Sequence, residues 1–173
     1  MADIKNAVLI IAKEIFRDEE LFDTQKALEE AHVKTVVASS VLGNCKGKLG
    51  AVANATMLIE EIAADNFDAV VFVGGEGAME YYDNPTALDL AKDALAKGKV
   101  LAAICIAPRI LANAGLLSGK KATCYESEAK ALKKSGAEFT GANVEQDGKI
   151  ITGNGPHAAT EFGQTIAEAI QEE

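Results

Sequence analysis

The sequence predicts a single α/β domain in which a mostly parallel, doubly wound sheet carries helices on both faces. Short apolar runs alternate with amphipathic helical segments through all 173 residues. The runs are nearly continuous in apolar residues, as in strands that are buried on both faces. No linker, repeat or low-complexity stretch interrupts this order, which is typical of a doubly wound three-layer sandwich. The length supports one adequate core, so residues 1–173 are expected to form one domain.

The predicted strands follow one another at intervals long enough for a helix. In chain order they cover residues 7–12, 34–39, 68–73, 100–104 and 120–124. A later stretch, 144–152, contains Asp147-Gly148, a dipeptide that is a strong hairpin signal. The Gly-rich stretch 43–50 predicts another small β-hairpin between the second and third strands.

The predicted helices fill the intervals between the strands and complete the chain. They cover residues 18–32, 59–65, 85–97, 108–114, 127–135 and 156–171. In the first helix, Leu21, Leu28 and Ala31 recur at helical spacing and form an inner face. Asn84 and Pro85 are typical N-cap and first-turn residues for the third helix.

Composition excludes several classes of function. Lys and Arg number 17 against 26 Asp and Glu, a formal net charge of −9, which argues against nucleic acid or an anionic membrane as a partner. No run approaches the about 20 apolar residues of a membrane span, and the N-terminus lacks a signal-peptide pattern. The three cysteines, Cys45, Cys105 and Cys124, have no disulfide-framework spacing. A reducing cytoplasm and at least one free thiol are therefore expected.

The segment around Cys105 carries the main functional signal. An apolar strand ends at this cysteine, and Pro108 then opens a helix. Ala103 and Ala107, two residues to either side, are small enough for the tight strand-to-helix turn of a nucleophile elbow. A thiol at a helix N-terminus is favoured as the reactive thiolate. The alternative from spacing alone is a buried structural cysteine.

Three loops are expected to meet at the carboxyl ends of the strands, where doubly wound folds bind ligands. They are the residues 12–20, the Gly-rich residues 74–77, and Cys105 with Ile106. Gly74 and Gly75 would let the backbone approach the sulfur. The N–H groups of Gly75 and Ile106 can then form an oxyanion hole.

Several motifs together resemble the ThiJ/PfpI family, within the class I glutamine amidotransferase-like superfamily. The resembling segments, spread over nearly the whole chain in family order, are 8–12, 16–21, 71–75, 102–108, 115–120 and 147–152. The most specific is the A-I-C-x-x-P elbow with the upstream Gly-Gly. The resemblance implies a flavodoxin-like fold, a homodimer or larger assembly, and a small-molecule or glycated protein or peptide substrate, with no cofactor.

The resemblance also implies site residues. Cys105 would be an oxidation-sensitive nucleophile, and a family glutamate on the first helix would hydrogen-bond its sulfur. Counting along the helix places that glutamate at Glu20, with Glu19 and Glu14 as alternatives. The alternative explanation for an acidic residue at Glu20 is structural: a negative charge in the first turn complements the helix dipole.

Departures from the family pattern affect the expected chemistry. Ile106 stands where protease-like members of the family carry a histidine, and Tyr125 stands where parkinsonism-type members carry one. The absence of both histidines weakens a peptidase interpretation. His157, before the last helix, can approach the pocket, whereas two histidines without a carboxylate pattern do not predict a metal site. Arg17 occupies a position that is acidic in protease-like members and can change the pocket charge. Otherwise Arg17 and Arg109 would be solvated surface charges.

Three hypotheses follow. The first is an enzyme in which Cys105 attacks a small carbonyl, amide or glycated substrate, with hydrolase, glyoxalase and deglycase chemistry all open. The second is a non-catalytic redox sensor or stress chaperone that uses oxidation of Cys105, stabilised by Glu20. The third is a retained fold with a vestigial site.

Overall fold

A computed structural model describes residues 3–172 of the chain. The strands are β1 (Asn6–Ile10), β2 (Glu14–Phe16), β3 (Lys34–Ser39), β4 (Gly43–Gly47), β5 (Val52–Ala55), β6 (Met57–Leu58), β7 (Ala69–Phe72), β8 (Val100–Ile104), β9 (Lys121–Ala122), β10 (Glu138–Phe139), β11 (Val144–Asp147) and β12 (Ile150–Gly153). The α-helices are α1 (Asp18–Glu30), α2 (Pro85–Ala96), α3 (Pro108–Asn113), α4 (Ala129–Lys134) and α5 (Ala159–Gln171).

The main sheet has seven strands in the order β11-β12-β8-β7-β1-β3-β6. All neighbouring pairs are parallel except β11 with β12, which form the antiparallel hairpin predicted at Asp147-Gly148. The carboxyl ends of β1, β7 and β8 lie side by side at one edge, because these strands are adjacent and parallel. The predicted doubly wound, mostly parallel sheet is confirmed.

The two faces of the sheet are buried against different helices. Alternate residues of a strand point to opposite faces, so Leu9 packs in the α1–α5 layer and Val8 in the α2–α3–α4 layer. Both side chains are fully buried, as are their neighbours Val70 and Val71 on β7. Burial on both faces explains why the strands are apolar at consecutive positions.

Two smaller sheets stand beside the main one. The predicted hairpin in 43–50 is present as antiparallel β4 and β5, with a register that runs to Ala55. Strand β2 adds to β4 in parallel, which the sequence did not indicate. The backbone of β2 is irregular, since Ile15 has a φ of 59°. This three-stranded sheet brings the turn after β4 close to the start of α1.

Several predicted elements were wrong in type or extent. The helix predicted over 59–65 is two 3-10 turns, Ile59–Glu61 and Ala64–Asn66. The strand predicted over 120–124 is only β9, which pairs with β10 outside the main sheet. Beyond it Thr123 leaves the ladder, because its N–H donates to Thr152 Oγ1 at 2.9 Å and its hydroxyl donates to the Ala142 carbonyl at 2.6 Å.

The predicted helix boundaries also shift. Helix α1 ends at Glu30 rather than residue 32, since His32 adopts a left-handed φ of 64°. Helices α4 and α5 begin after the 3-10 turns Glu126–Glu128 and Pro156–Ala158, later than the sequence indicated. Helix α2 begins as predicted, with the Asn84 side chain accepting from the N–H of Thr86 at 2.9 Å. Within residues 3–172 none of the helices has the length and apolar character needed to cross a bilayer.

Candidate active site

Cys105 occupies the turn between β8 and α3. Its φ of 65° lies in the left-handed region, which costs a non-glycine residue on the order of 1–3 kcal/mol. Two backbone hydrogen bonds hold this conformation. The Cys105 N–H donates to the Gly153 carbonyl oxygen at 2.9 Å, and the Cys105 carbonyl oxygen accepts from the Tyr125 N–H at 2.7 Å. The sharp turn predicted from small neighbours and Pro108 is therefore present.

Two glycines allow the backbone to pass next to the sulfur. A Cβ at Gly74 would overlap the Glu20 carboxylate and would lie 2.6 Å from the Cβ of Cys105. Gly75 has a φ of 99°, and a Cβ there would lie 2.5 Å from the Ile15 carbonyl oxygen. The Gly74 carbonyl accepts from the Arg17 N–H at 2.9 Å, which fixes this loop against the start of α1.

Glu20 lies in the first turn of α1 and is fully buried. Neither carboxyl oxygen makes a hydrogen bond of normal geometry within residues 3–172. The polar groups that act on it are the Cys105 thiol and the Gly74 N–H. Burial raises the pKa of Glu20 to about 8, so its carboxyl group is mostly protonated at neutral pH.

The two alternatives to Glu20 lie elsewhere. Glu19 forms a bidentate ion pair with Arg17, with distances of 2.8 and 3.0 Å. Glu14 is an exposed residue of β2. Of the three candidate glutamates, the structure brings Glu20 next to the sulfur.

Opposing effects act on the Cys105 thiol, which is 7% exposed. Burial raises its pKa, and the negative charge that Glu20 carries when ionised raises it further. The N–H groups of Gly75 and Ile106 lower the pKa of Cys105, because they stabilise negative charge on the sulfur. The backbone donors predicted for an oxyanion hole thus lie next to the sulfur.

Cys105 opens into a cavity of about 690 Å³. The residues that line this cavity include most of the site residues predicted from sequence, namely Arg17, Glu20, Gly75, Cys105, Tyr125 and His157. Tyr125 is 47% exposed. His157 lies 3.3 Å from the Asn143 side-chain oxygen through Nε2. Within residues 3–172 no group of three His, Cys, Asp or Glu side chains is arranged to hold a metal ion.

A second polar cluster, formed by Tyr82, Arg109, Ser127 and Glu128, contacts the turn at Cys105 through the Ile106 carbonyl. The Tyr82 hydroxyl lies 3.3 Å from the Ile106 carbonyl oxygen and 3.1 Å from Glu128 Oε1. Arg109 donates to the same Glu128 oxygen at 3.1 Å and lies 5.3 Å from the centre of the Tyr82 ring. Ser127 donates to the other carboxylate oxygen at 3.0 Å. Ile106, the residue that follows Cys105, is therefore linked to a charged network.

Some sequence expectations about this region were wrong or incomplete. Arg109 belongs to the charged network and is not simply a solvated charge. Cys45 is fully buried in β4, because alternate residues of this strand point inward. Lys48 and Tyr82 were not predicted as site residues. Lys48 reaches the cavity through the fold of the β4–β5 hairpin, and no local sequence signal reports that placement.

Comparisons with known proteins give a family match and several related sequences. A model of the DJ-1/PfpI family matches residues 5–169. An uncharacterized protein from Methanocaldococcus jannaschii is 40% identical over 98% of this chain and 85% of its own length. A deglycase from Pyrococcus abyssi is 34% identical over 86% of this chain and 90% of its own length.

A solved structure shows the same fold. The crystal structure of a ThiJ/PfpI domain protein from Brachyspira murdochii aligns with a TM-score of 0.96 at 33% identity, and the alignment covers 99% of each chain. Together with the family match over nearly the whole sequence, this likeness confirms the flavodoxin-like fold and the resemblance seen in the motifs. The chain belongs to the DJ-1/PfpI family.

Proposed function

We propose that this protein is an enzyme that acts on small carbonyl compounds or on their adducts with amines, with Cys105 as the nucleophile. The observation that carries the proposal is the placement of the sulfur. It sits on a turn with a left-handed backbone, opens into a cavity, and lies beside two backbone N–H donors and a buried carboxyl group. The deglycase name of the Pyrococcus abyssi relative supports this substrate class.

The proposed common step is addition of the sulfur to a carbonyl carbon. A C–S bond forms, and the π electrons of the carbonyl move to its oxygen. The N–H groups of Gly75 and Ile106 stabilise the developing negative charge. The Glu20 carboxyl group, which is protonated at neutral pH, then supplies a proton to that oxygen and takes the proton of the Cys105 thiol on its other oxygen, which completes the tetrahedral adduct and leaves Glu20 protonated.

Two outcomes of the adduct are compatible with these residues. When the substrate is an amine adduct, the C–N bond breaks with its electron pair moving to nitrogen, the nitrogen takes a proton, and the free amine leaves. Water then adds to the carbon fragment that remains on the sulfur, the C–S bond breaks, and Cys105 returns to the thiol. When the substrate is a 2-oxoaldehyde, net addition of water gives a 2-hydroxy acid, with the aldehyde carbon oxidised and the neighbouring carbon reduced. Peptide hydrolysis is less well supported, since Ile106 and Tyr125 stand at the family histidine positions.

The direct test compares wild-type protein with Cys105→Ala and with Cys45→Ala, which removes a buried thiol outside the cavity. Consumption of methylglyoxal and of its adduct with an amino acid would be measured for each. We expect Cys105→Ala to lose at least about 100-fold in kcat/KM, and Cys45→Ala to stay near wild type. Unchanged turnover in Cys105→Ala would exclude Cys105 as the nucleophile.

One observation favours a second candidate function, a redox sensor. The buried oxygens of Glu20 have no normal hydrogen bond and lie beside the sulfur, so they can partner an oxygen atom added to Cys105 by a peroxide. Mass spectrometry after mild peroxide treatment tests this role. Oxidation of Cys45 or Cys124 before Cys105 would rule it out.

A further inference from the structure

The charges around the cavity differ from those of the whole chain. The chain has a formal net charge of −9, yet two of the cavity-lining side chains, Arg17 and Lys48, are cations. The opposing acidic groups in the lining are Glu20 and Glu126. Because burial raises the pKa of Glu20, Glu126 supplies most of the negative charge at neutral pH. By formal charge the lining is thus less acidic than the chain as a whole, and the carboxylates paired with the two cations, Glu19 and Glu76, lie outside the lining.

An ion pair fixes the orientation of the Arg17 guanidinium and leaves some of its N–H donors unused. Its Nε and Nη2 atoms bind the Glu19 carboxylate at 2.8 and 3.0 Å. Nη1 has no partner within residues 3–172, and a guanidinium offers five N–H donors in all. The hydrogen bond to Glu19 raises the pKa of Arg17, and the negative charges that Glu20 and Cys105 carry when ionised raise it as well. The guanidinium therefore interacts electrostatically with the Cys105 sulfur.

Lys48 reaches the cavity from a turn that is fixed by the same helix. The Asp18 carboxylate, at the start of α1, accepts from the N–H groups of Leu49 and Ala51, both at 2.9 Å. The Lys48 N–H donates to the Phe16 carbonyl at 2.9 Å. Its ammonium group pairs with Glu76, which does not line the cavity. The backbone therefore presents both cations on one side of the cavity.

We infer that the cavity selects carbonyl compounds that carry a carboxylate, with Arg17 and Lys48 binding the carboxylate while Cys105 adds to the carbonyl carbon. This inference rests on the proposed function and specifies its substrate class. The reaction step is unchanged: the C–S bond forms, the carbonyl π electrons move to oxygen, that oxygen takes the proton of Glu20, and Glu20 takes the proton of the thiol. The carboxylate takes no part in bond changes. Glu126 disfavours the reverse orientation by like-charge repulsion.

A pair of alkylating reagents tests the inference without relying on turnover. Iodoacetate and iodoacetamide both alkylate Cys105, but only iodoacetate carries a carboxylate. The ratio of their rate constants at Cys105, read by peptide mass spectrometry, would be measured in wild type, Arg17→Gln and Lys48→Gln. Arg17→Lys keeps the charge, and Lys46→Gln removes an exposed lysine of the same hairpin that lies outside the cavity lining.

We expect the iodoacetate to iodoacetamide ratio to fall about 3–10-fold in Arg17→Gln and Lys48→Gln, and to fall less at high salt. Arg17→Lys should retain most of the ratio, and Lys46→Gln should match wild type. A ratio that is the same in wild type, Arg17→Gln and Lys48→Gln would overturn the inference.

A second measurement uses aldehydes of matched size. Glyoxylate carries a carboxylate and glycolaldehyde does not, and each can protect Cys105 from iodoacetamide by forming a reversible adduct. We expect glyoxylate to protect at lower concentration, with that advantage lost in Arg17→Gln. Protection by both aldehydes without an Arg17-dependent preference would overturn this inference alone. A Cys105 that neither aldehyde protects, and that reacts no faster than a peptide thiol, would overturn the proposed function instead.

Discussion

Cys105 and Cys124 are two buried thiols that line the same cavity, yet their surroundings differ. The backbones are adjacent, since the N–H that follows Cys124 donates to the Cys105 carbonyl at 2.7 Å. Burial raises the pKa of Cys124 to about 12, with the charge of Glu128 as the second cause. Burial also raises the pKa of Cys105, and the charge of Glu20 when ionised raises it further, but there two backbone N–H groups act in the opposite direction. Within residues 3–172 no backbone N–H group acts on the Cys124 sulfur in this way.

The difference shows that backbone geometry distinguishes the two thiols, not residue type or burial. Cys105 sits at a φ of 65°, so its side chain meets the N–H groups of Gly75 and Ile106. Cys124 follows a short strand in a region where Thr123 is fixed by side-chain hydrogen bonds. Of the two thiols, only Cys105 has backbone donors aimed at the sulfur, and these donors stabilise a thiolate against the opposing effect of burial.

The largest expected effect is the difference in reactivity between the two thiols. At pH 7 we expect iodoacetamide to label Cys105 at least about 100-fold faster than Cys124, because only the former has groups that stabilise the thiolate. Peptide mass spectrometry over a time course measures both rates in one sample, and denatured protein gives the common reference rate. Similar rates in the folded protein would remove the distinction drawn from the backbone.

The second prediction concerns stability and the proton on Glu20. A carboxyl group whose pKa is raised on folding is favoured in its protonated form by the folded state. Its contribution is therefore fully present below the unfolded pKa and is lost as pH rises toward the folded value of about 8. Between pH 5 and pH 8, Glu20→Gln should gain on the order of 3 kcal/mol in unfolding free energy relative to wild type.

Denaturant unfolding of both proteins at the two pH values measures this change, and the comparison cancels other titrating groups. Glu19→Gln serves as control. Its carboxylate is paired with Arg17, so the pKa of Glu19 is lowered and no gain with rising pH is expected. If the difference between Glu20→Gln and wild type is the same at pH 5 and pH 8, Glu20 does not carry a raised pKa.

A smaller effect is expected at Gly75. In Gly75→Ala the new Cβ would meet the backbone of Ile15 and Arg17, and the φ of 99° disfavours any L side chain. The loop must shift and turn its N–H away from the sulfur. We expect Cys105 labelling to slow by roughly 10-fold while Cys124 keeps its rate. Gly98→Ala, at another left-handed glycine with open space around it, controls for backbone strain alone. Equal labelling in both variants would exclude Gly75 as a donor.

Local sequence signals were enough to predict the fold and the centre of the site. The apolar strand, the small residues around Cys105 and the upstream Gly-Gly all follow from sterics along the chain, so these features were recognisable before the structure. Residues such as Lys48 and Tyr82 were not, because tertiary packing brings them to the elbow from distant segments. The strand at 120–124 was overestimated for a related reason, since Thr123 bonds through side-chain partners far along the chain.

Tyr82 offers the smallest and most specific test of the comparison. Its hydroxyl has one proton and two acceptors, the Ile106 carbonyl and Glu128, so it links the residue after Cys105 to the charged network. Tyr82→Phe removes this link but leaves Glu128 bound to Arg109 and Ser127. We expect Cys105 labelling to fall about 2–4-fold with a loss of about 0.5–1.5 kcal/mol in stability.

The matched control for Tyr82→Phe is Ser127→Ala, which removes another hydrogen bond to Glu128 without touching Ile106. Both variants perturb the charge that raises the pKa of Cys124, so both should alter Cys124 labelling to a similar degree. Only Tyr82→Phe should slow Cys105, because only it loosens Ile106, the residue whose N–H faces the sulfur. If Ser127→Ala slows Cys105 equally, the network acts through the charge of Glu128 and not through the position of Ile106. The position of the Ile106 N–H would then contribute less to the difference in reactivity between Cys105 and Cys124 than their geometry indicates.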